Sequence, residues 1–414
     1  MSRILILTYY FPPAGGAAVQ RWHRFIPALI TLGHQISVIC PNRGAYPYLD
    51  ESLLRELPNE LRVIRTGRSS LLANWQKDGL LPYGNLNSSK NDSILRRLLI
   101  WIRLNLVIPD IRINWLPAAL TAACKELRRF DYDLIITTGP PHSTHLCGLF
   151  LSNRFRKPWL ADFRDPWSRI HYLYLANPSK ITMKIHRYLE RKVVNSASAV
   201  SVISHHISSE LPDGNKHIFY NGYSDKDYSG IEYHKANVFR IKYIGQLTAG
   251  QNIKPLLKKL SDLDAEFSFI GTNGIDGYLS KANDPGRLKI IRKGFLKHKE
   301  AISEMVNAEL LVLIINDYPG SKGMLTTKLF EYLASRTPIL CLGDMESEAA
   351  QLICSYDAGL IVQDADDPAV LDFVKRSISA WQRDRYIRNT HDCSDLESSR
   401  QSAILDKLIR SISG

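Results

Sequence analysis

Short runs of β-branched and aromatic residues alternate along the whole chain with stretches whose apolar residues recur every three to four positions. That alternation predicts parallel sheets with helices on both faces. In the first half the runs predict strands at Ile4 to Thr8, Gln35 to Cys40, Leu134 to Thr138, Trp159 to Asp162, Ala199 to Ser204 and His217 to Tyr220. The series restarts at Phe239 to Ile244 and continues with Glu266 to Ile270, Leu288 to Arg292, Leu310 to Ile315, Ile339 to Leu342 and Gly359 to Val362. Between the two series the tract NGYSDKDYSGIEYHKAN, Asn221 to Asn237, has no apolar period and reads as a linker. The expected architecture is α/β, with two doubly wound Rossmann-like domains facing a cleft. Residues 1–222 form the first, 223–237 the linker, 238–392 the second and 393–414 a C-terminal helix with Ile404, Leu405, Leu408 and Ile412 on one face.

Length and composition agree with this picture, since 414 residues exceed what one core supports and 45% hydrophobic with 23% charged residues is an ordinary globular balance. The six cysteines, at 40, 124, 147, 341, 354 and 393, form no CxxC pair, which argues against a disulfide framework and a zinc ribbon. No apolar run has the length of a signal peptide core or a membrane span. The expectation is a soluble, cytoplasmic protein. Its net charge of +12 calls for an anionic partner: nucleic acid, lipid or a phosphorylated ligand. Basic residues are scattered over both halves, which speaks against nucleic acid. One stretch, ILRRLLIWIRLNLVIPDIRIN from Ile94 to Asn114, interleaves Arg96, Arg97, Arg103 and Arg112 with Trp101 and aliphatic residues. It reads either as a half-buried helix with solvated arginines or as a membrane-surface segment.

Ligands of open α/β sheets sit at the carboxyl ends of strands. There the first loop, TYYFPPAGGAAVQRW, offers Gly15 and Gly16, whose missing Cβ atoms let backbone N–H groups approach a phosphate. The spacing is not GxGxxG, which disfavours a dinucleotide oxidoreductase or epimerase. After the fourth-strand region comes GPPHSTHLCG with His142 and His145, and after the next strand ADFRDPW with Asp162, Arg164 and Asp165. These are groups able to orient hydroxyls, or else an ion pair at a turn and ordinary capping histidines. The segment KGMLTTKLFEYLASRTPIL, Lys322 to Leu340, is the most informative. Leu325, Leu329 and Leu333 make its buried stripe, and Thr327, Lys328, Glu331 and Ser335 another face. A lysine in a first helical turn opposes the helix dipole unless an anion arrives, and Glu331 can accept from ribose hydroxyls; the alternative is a solvated Lys–Glu pair. Two DxD triplets, at 131–133 and 262–264, precede strands and are rejected as metal sites.

These blocks resemble those of family 4 of the retaining glycosyltransferases, with the two-domain GT-B fold, over essentially the whole chain. PPAGGAAVQRW resembles the family's glycine loop, ADFRDPW a block of polysaccharide-building members, FYNGYSDKDY the domain junction and TTKLFEYLASRTPIL the nucleotide-binding helix. The resemblance implies an acceptor-side first domain and a nucleotide-sugar-binding second domain, with the last helix packed back on the first. It implies a metal-independent hexosyltransferase that needs no cofactor and moves sugar to a lipid-linked glycan in polysaccharide biosynthesis. The donor would meet Gly15, Gly16, Lys254, Lys322, Thr327, Lys328 and Glu331, with Asp162, His142 and Lys328 as the catalytic set. Arg96, Arg97, Trp101 and Arg103 would face the acceptor or the inner surface of the plasma membrane. The family's usual acidic residue falls at Gly323, its diphosphate-holding Arg and Lys at Gln246 and Gln251, and a histidine of some members near Thr138. A catalytically inactive nucleotide-sugar-binding module of the same fold is the alternative.

Overall fold

The computed structural model describes residues 1–46, 49–67, 93–170, 173, 176–247, 251–272, 286–315, 321–383, 388–389 and 391–414. The chain divides into two units, Met1–Asn221 with Ser398–Gly414, and Gly222–Glu397.

The first unit contains the strands β1 Arg3–Leu7, β2 Gln35–Pro41, β3 Arg62–Thr66, β4 Leu134–Gly139, β5 Trp159–Phe163, β6 Ala199–Val202 and β7 Lys216–Ile218. They pair in parallel in the order β3-β2-β1-β4-β5-β6-β7. Helices of seven residues or more in this unit are α1 Ala17–Thr31, α2 Ile94–Asn105, α3 Leu116–Arg129, α4 Ser143–Phe155 and α5 Lys180–Ser196. The second unit's strands are β8 Phe239–Ile244, β9 Ala265–Ile270, β10 Lys289–Lys293, β11 Leu310–Ile314, β12 Ile339–Leu342 and β13 Gly359–Val362. They too are parallel, in the order β10-β9-β8-β11-β12-β13. Its helices of that length are α6 Lys254–Leu260, α7 His298–Val306, α8 Thr327–Ser335, α9 Glu348–Ser355 and α10 Pro368–Gln382; the last helix, α11 Ser398–Ser413, belongs to the first unit. Both sheets reverse direction beside their first strand, between β1 and β4 and between β8 and β11. These are the switch points where open α/β sheets take ligands.

Burial explains why these residues form these elements. β4 and β5 are buried along their length and β1 from Ile4 on, and all three are mostly apolar, as parallel strands covered on both faces tend to be. On α1, Trp22, Phe25, Ile26 and Leu29 pack with Ile4, Ile6, Val38 and Ile136. The twelve predicted strands are all present with ends shifted by at most two residues, and β3 is additional. Its sequence RVIRT is half-buried at the sheet edge and carries two arginines, so the apolar pattern is too thin to show it.

On α11 the buried apolar residues are Leu405, Leu408 and Ile409, whereas Ile404 is half exposed. This shifts the expected face by about one residue. The helix closes the core of the first unit, with His34 Nε2 2.6 Å from Asp406 and Arg410 donating to the Leu32 carbonyl. The tract around Tyr228 and Tyr233 is held on the second unit: Tyr228 donates to the Glu331 carbonyl at 2.8 Å and Tyr233 to the Glu309 carboxylate at 2.7 Å.

Candidate functional site

At the carboxyl edge of the second sheet, α8 begins at Thr327 behind the N-cap residue Thr326, whose side chain makes no cap and whose Oγ1 is buried without a hydrogen bond among the described residues. Leu325, Leu329 and Leu333 are buried and anchor the helix. Lys328 folds back over the end of β8, with its ammonium 4.6 Å from the Tyr243 ring centroid and donating to the Tyr243 hydroxyl at 3.2 Å. Gly245, at φ +116°, makes room: a Cβ there would lie 3.1 Å from Lys328 Nζ. Burial pulls the Lys328 pKa down from 10.5 to about 8, against the opposing pull of Glu331. Dipole and desolvation thus both disfavour its charge, and a bound anion would relieve both. Glu331, one turn further on, is 6% exposed and lies 3.8 Å from His298 Nε2, which also meets Asp227 at 3.2 Å.

Tyr243 donates to the Gln246 carbonyl at 2.9 Å, and Gln251 donates to the Ile314 carbonyl at 2.7 Å while its Oε1 stands 3.3 Å from the Tyr243 hydroxyl. The two glutamines standing where cations were expected are therefore built into the framework that holds Tyr243 under Lys328. Lys254 opens α6, its backbone N–H bonded to Asn252 Oδ1 at 3.3 Å. Lys322 reaches Glu346 and lies 3.4 Å from Asp344, so its charge is answered within the chain. Thr327 is half-buried in the first turn of α8.

In the first unit, Gly16 is the N-cap of α1 at φ 98°, a left-handed conformation that favours glycine, and makes no side-chain cap. Gly15 beside it is buried. Asp162 corrects the sequence reading: it is fully buried and saturated, accepting from Arg21 at 3.1 Å, Trp22 at 2.8 Å, Thr138 at 2.8 Å and Ser201 at 2.7 Å. Burial alone would raise its pKa, but Arg21 and these donors outweigh that and hold it low. Such a carboxylate fixes α1 to the sheet and offers no lone pair to a substrate.

His142 and His145 are likewise interior. His142 stacks on Trp167 at 5.2 Å and His145 on Phe163 at 4.4 Å. His145 Nδ1 meets Thr137 Oγ1 at 2.9 Å, while neither ring nitrogen of His142 has a hydrogen-bond partner of ordinary geometry among the described residues. Burial, with Arg164 nearby, keeps both neutral: the His145 pKa falls to about 3, and that of His142 falls well below its usual value despite the Pro166 carbonyl. They serve as neutral polar groups beside Gly139, where an added Cβ would lie 2.7 Å from His145 Nε2.

The group that the sequence placed in this cluster without selecting is Asp165. It lies two residues past β5 and is partly exposed. Burial raises its pKa to about 6, with Arg164 opposing. It can hold or release a proton near neutral pH, which Asp162 cannot. Arg164 is itself a brace, donating to the carbonyls of Gly139, Pro140 and Ala18. Among the former basic-stretch residues, Arg112 is buried, over the Tyr9 ring and bonded to the Ala45 carbonyl at 3.3 Å, so it is structural. Arg96, Arg97, Trp101 and Arg103 all lie on α2, and Trp101 is 52% exposed. Of the aspartate triplets, Asp131 pairs with Lys157, Asp133 accepts from the Arg3 N–H and Asp264 lies 3.7 Å from Arg287.

Residues 15–213 match the family described as a glycosyl transferase 4-like domain. Over 99% of both chains the structure is similar to sucrose-phosphate synthase of Thermosynechococcus elongatus, with TM-score 0.64 at 15% identity. It is also similar to HepE of Anabaena in complex with UDP and glucose, with TM-score 0.63 and 14% identity over 99% of this chain and 100% of that one. A further HepE structure, in complex with UDP-glucose, gives TM-score 0.55 at 13% identity over 100% of this chain and 97% of that one. At such identities the likeness shows the fold, GT-B. No curated protein matches the sequence.

Proposed function

We propose that this chain, a GT-B protein whose first unit carries a glycosyl transferase 4-like domain, is a retaining, metal-independent hexosyltransferase. It takes a sugar from a nucleoside-diphosphate donor and passes it to a lipid-linked glycan in cell-surface polysaccharide biosynthesis, at the inner face of the plasma membrane. The observation that carries the donor reading is the desolvated Lys328 ammonium beside the uncapped start of α8, at the carboxyl edge of a doubly wound sheet. A diphosphate there would gain a cation and helix N–H groups together. Glu331 would accept from the ribose hydroxyls. The complexes of HepE with UDP and UDP-glucose make uridine the first nucleoside to test.

In the reaction the bond between the anomeric carbon and the diphosphate oxygen breaks and the acceptor hydroxyl oxygen bonds to that carbon on the same face. The hydroxyl proton passes to the leaving phosphate. Lys328 and the first turn of α8 take up the growing negative charge, while Asp165 orients the acceptor hydroxyl. Asp162, saturated in the core, positions α1 and with it the glycine loop. A second reading, donor binding without transfer, draws on the neutral Gln246 and Gln251 in the Tyr243 framework.

A thermal-shift screen with UDP, GDP, ADP and their sugar conjugates tests the donor site, repeated with Glu331→Ala. One nucleotide should stabilise the chain, and the variant should lose that shift. If no nucleotide sugar moves the melting curve at millimolar concentration, the donor assignment fails. Donor hydrolysis followed by proton NMR of the released sugar then separates retention from inversion, and its absence despite binding would favour the module.

A further inference from the structure

We infer that α2 and α5 of the first unit together form a docking face for an anionic bilayer. The inference rests on the membrane location in the proposed function; the sequence offered only the α2 stretch for it, and the structure supplies the second helix. On α2, Ile94, Leu98 and Trp101 stand at spacings of four and three and are 85%, 52% and 52% exposed. On α5, Ile181, Ile185 and Tyr188 repeat the same spacing and are 72%, 39% and 61% exposed. Each row ends in an aromatic with a polar handle, the type that settles at a membrane–water interface. The opposite faces are committed to the fold. Ile100 and Leu104 of α2 pack with Ile170 and Leu173, and on α5 Thr182, His186, Glu190 and Val193 are buried.

The two rows are joined. The Asn105 side chain at the end of α2 accepts from the Ser179 N–H at 2.8 Å and from the Thr182 hydroxyl at 3.0 Å at the start of α5. The charge is one-sided. Lys180, Lys184, Arg187 and Arg191 are exposed along α5 and Arg97 along α2, whereas neither helix exposes a carboxylate. The one acid in them, Glu190, is buried and accepts the Ser168 N–H and hydroxyl. A face that is apolar along its centre and wholly cationic at its flank is complementary to anionic headgroups above acyl chains. It is less suited to a second copy of itself, because pairing would bring like charges together. Neither helix is long and apolar enough to span a membrane, so the mode is peripheral.

The test is co-sedimentation of the full chain with vesicles of phosphatidylcholine alone or of equal parts phosphatidylcholine and phosphatidylglycerol. Binding is expected to the anionic vesicles only, and to fall steeply at about 0.5 M salt. Lys184→Gln with Arg187→Gln should weaken it about 30-fold, at roughly fivefold per charge, and Leu98→Ser with Ile185→Ser should abolish it. A control pair on α3, Lys125→Gln with Arg128→Gln, removes the same charge elsewhere and should leave it unchanged. Each variant is checked for an unaltered melting curve. An equal loss in the control pair would assign the effect to the net charge of +12 and overturn the proposal, as would absence of binding at low salt. A serine variant that turns a dimer into a monomer while still binding vesicles would give the face to a second copy. Vesicle binding without sugar transfer would keep this inference and remove the enzymatic one, and the reverse outcome would do the opposite.

Discussion

Replacing Lys328 by methionine should make the protein more stable and worse at its task. Keeping a lysine protonated at pH 7 when its pKa has fallen from 10.5 to about 8 costs the folded state about 3 kcal/mol. Methionine removes that cost and fills a similar volume. It forfeits the hydrogen bond to Tyr243 and the contact with its ring, each worth about 1 kcal/mol. The balance is a gain of about 1 kcal/mol, or about 2–4 °C in melting temperature for a chain of this size. The sign depends on pH. The penalty is complete below the folded pKa and fades as pH rises from about 8 toward 10.5, so the advantage should shrink, vanish at about pH 9 and be reversed at about pH 10. With UDP present the order inverts, because loss of a charge-assisted contact weakens diphosphate binding by about 10- to 150-fold. Differential scanning calorimetry at both pH values, with and without UDP, measures all of this. A variant that melts lower at pH 7 and keeps its nucleotide shift would refute the reasoning, since Lys328 would then be a structural cation only.

Three further outcomes follow from the same geometry. Glu331→Gln should retain the fold and reduce nucleotide affinity by about tenfold, read by titration calorimetry, because one strong ribose acceptor becomes a weaker one. Asp162→Ala should destabilise by about 3–5 kcal/mol in urea unfolding by stranding the buried Arg21, and adding Arg21→Met should recover part of the loss. Asp165 has a pKa raised from 3.8 to about 6, so the cost of its ionisation grows between those pH values and is complete above them. Asp165→Asn should therefore raise stability most at pH 8, about half as much at about pH 5 and not at all at about pH 3, and remove a limb near pH 6 from the pH profile of transfer.

Much of the fold was legible because parallel strands buried on both faces must be apolar along their whole length, and runs such as Leu134 to Thr138 have no other reading. β3 escaped because an edge strand need satisfy only part of that demand, and Arg62 and Arg65 break its run. The candidate nucleotide site on α8 was legible for a related reason. Lys328 is expensive in the first turn of a helix and Glu331, one turn on in a segment rich in leucine, is expensive to bury, so they stand out against the local pattern. Asp162 and Asp165 could not be told apart, since the difference lies in partners far along the chain. Asp162 stays ionised because Arg21 and Trp22 of α1 reach it, and Asp165 is the titrating group because no comparable donor among the described residues does. Only Arg21, on a helix that buries Val19, Trp22 and Phe25, hinted that a carboxylate must wait inside.

The way the helices begin carries the functional argument one step further. An α-helix leaves its first N–H groups unpaired, and proteins normally satisfy them locally. Here α2, α5, α9 and α10 are capped by Ser93, Ser179, Ser347 and Asp367, and at α7 Glu300 reaches back to accept the Lys297 N–H at 3.1 Å. α4 borrows Asp110, which takes the Ser143 N–H at 2.8 Å, and α3 runs on from a 3₁₀ turn. The helices that begin on residues making no such provision include α1, behind Gly16, and α8, behind Thr326. α1 follows the strand that borders its sheet's switch point, and α8 sets Lys328 over the end of β8, which borders the other. Stability alone would have favoured serine or aspartate at both caps, by about 1 kcal/mol each over an uncapping residue, although glycine loses only a few tenths. Both helices thus begin without a side-chain cap at the places where this fold takes ligands, an arrangement that suits an anionic ligand.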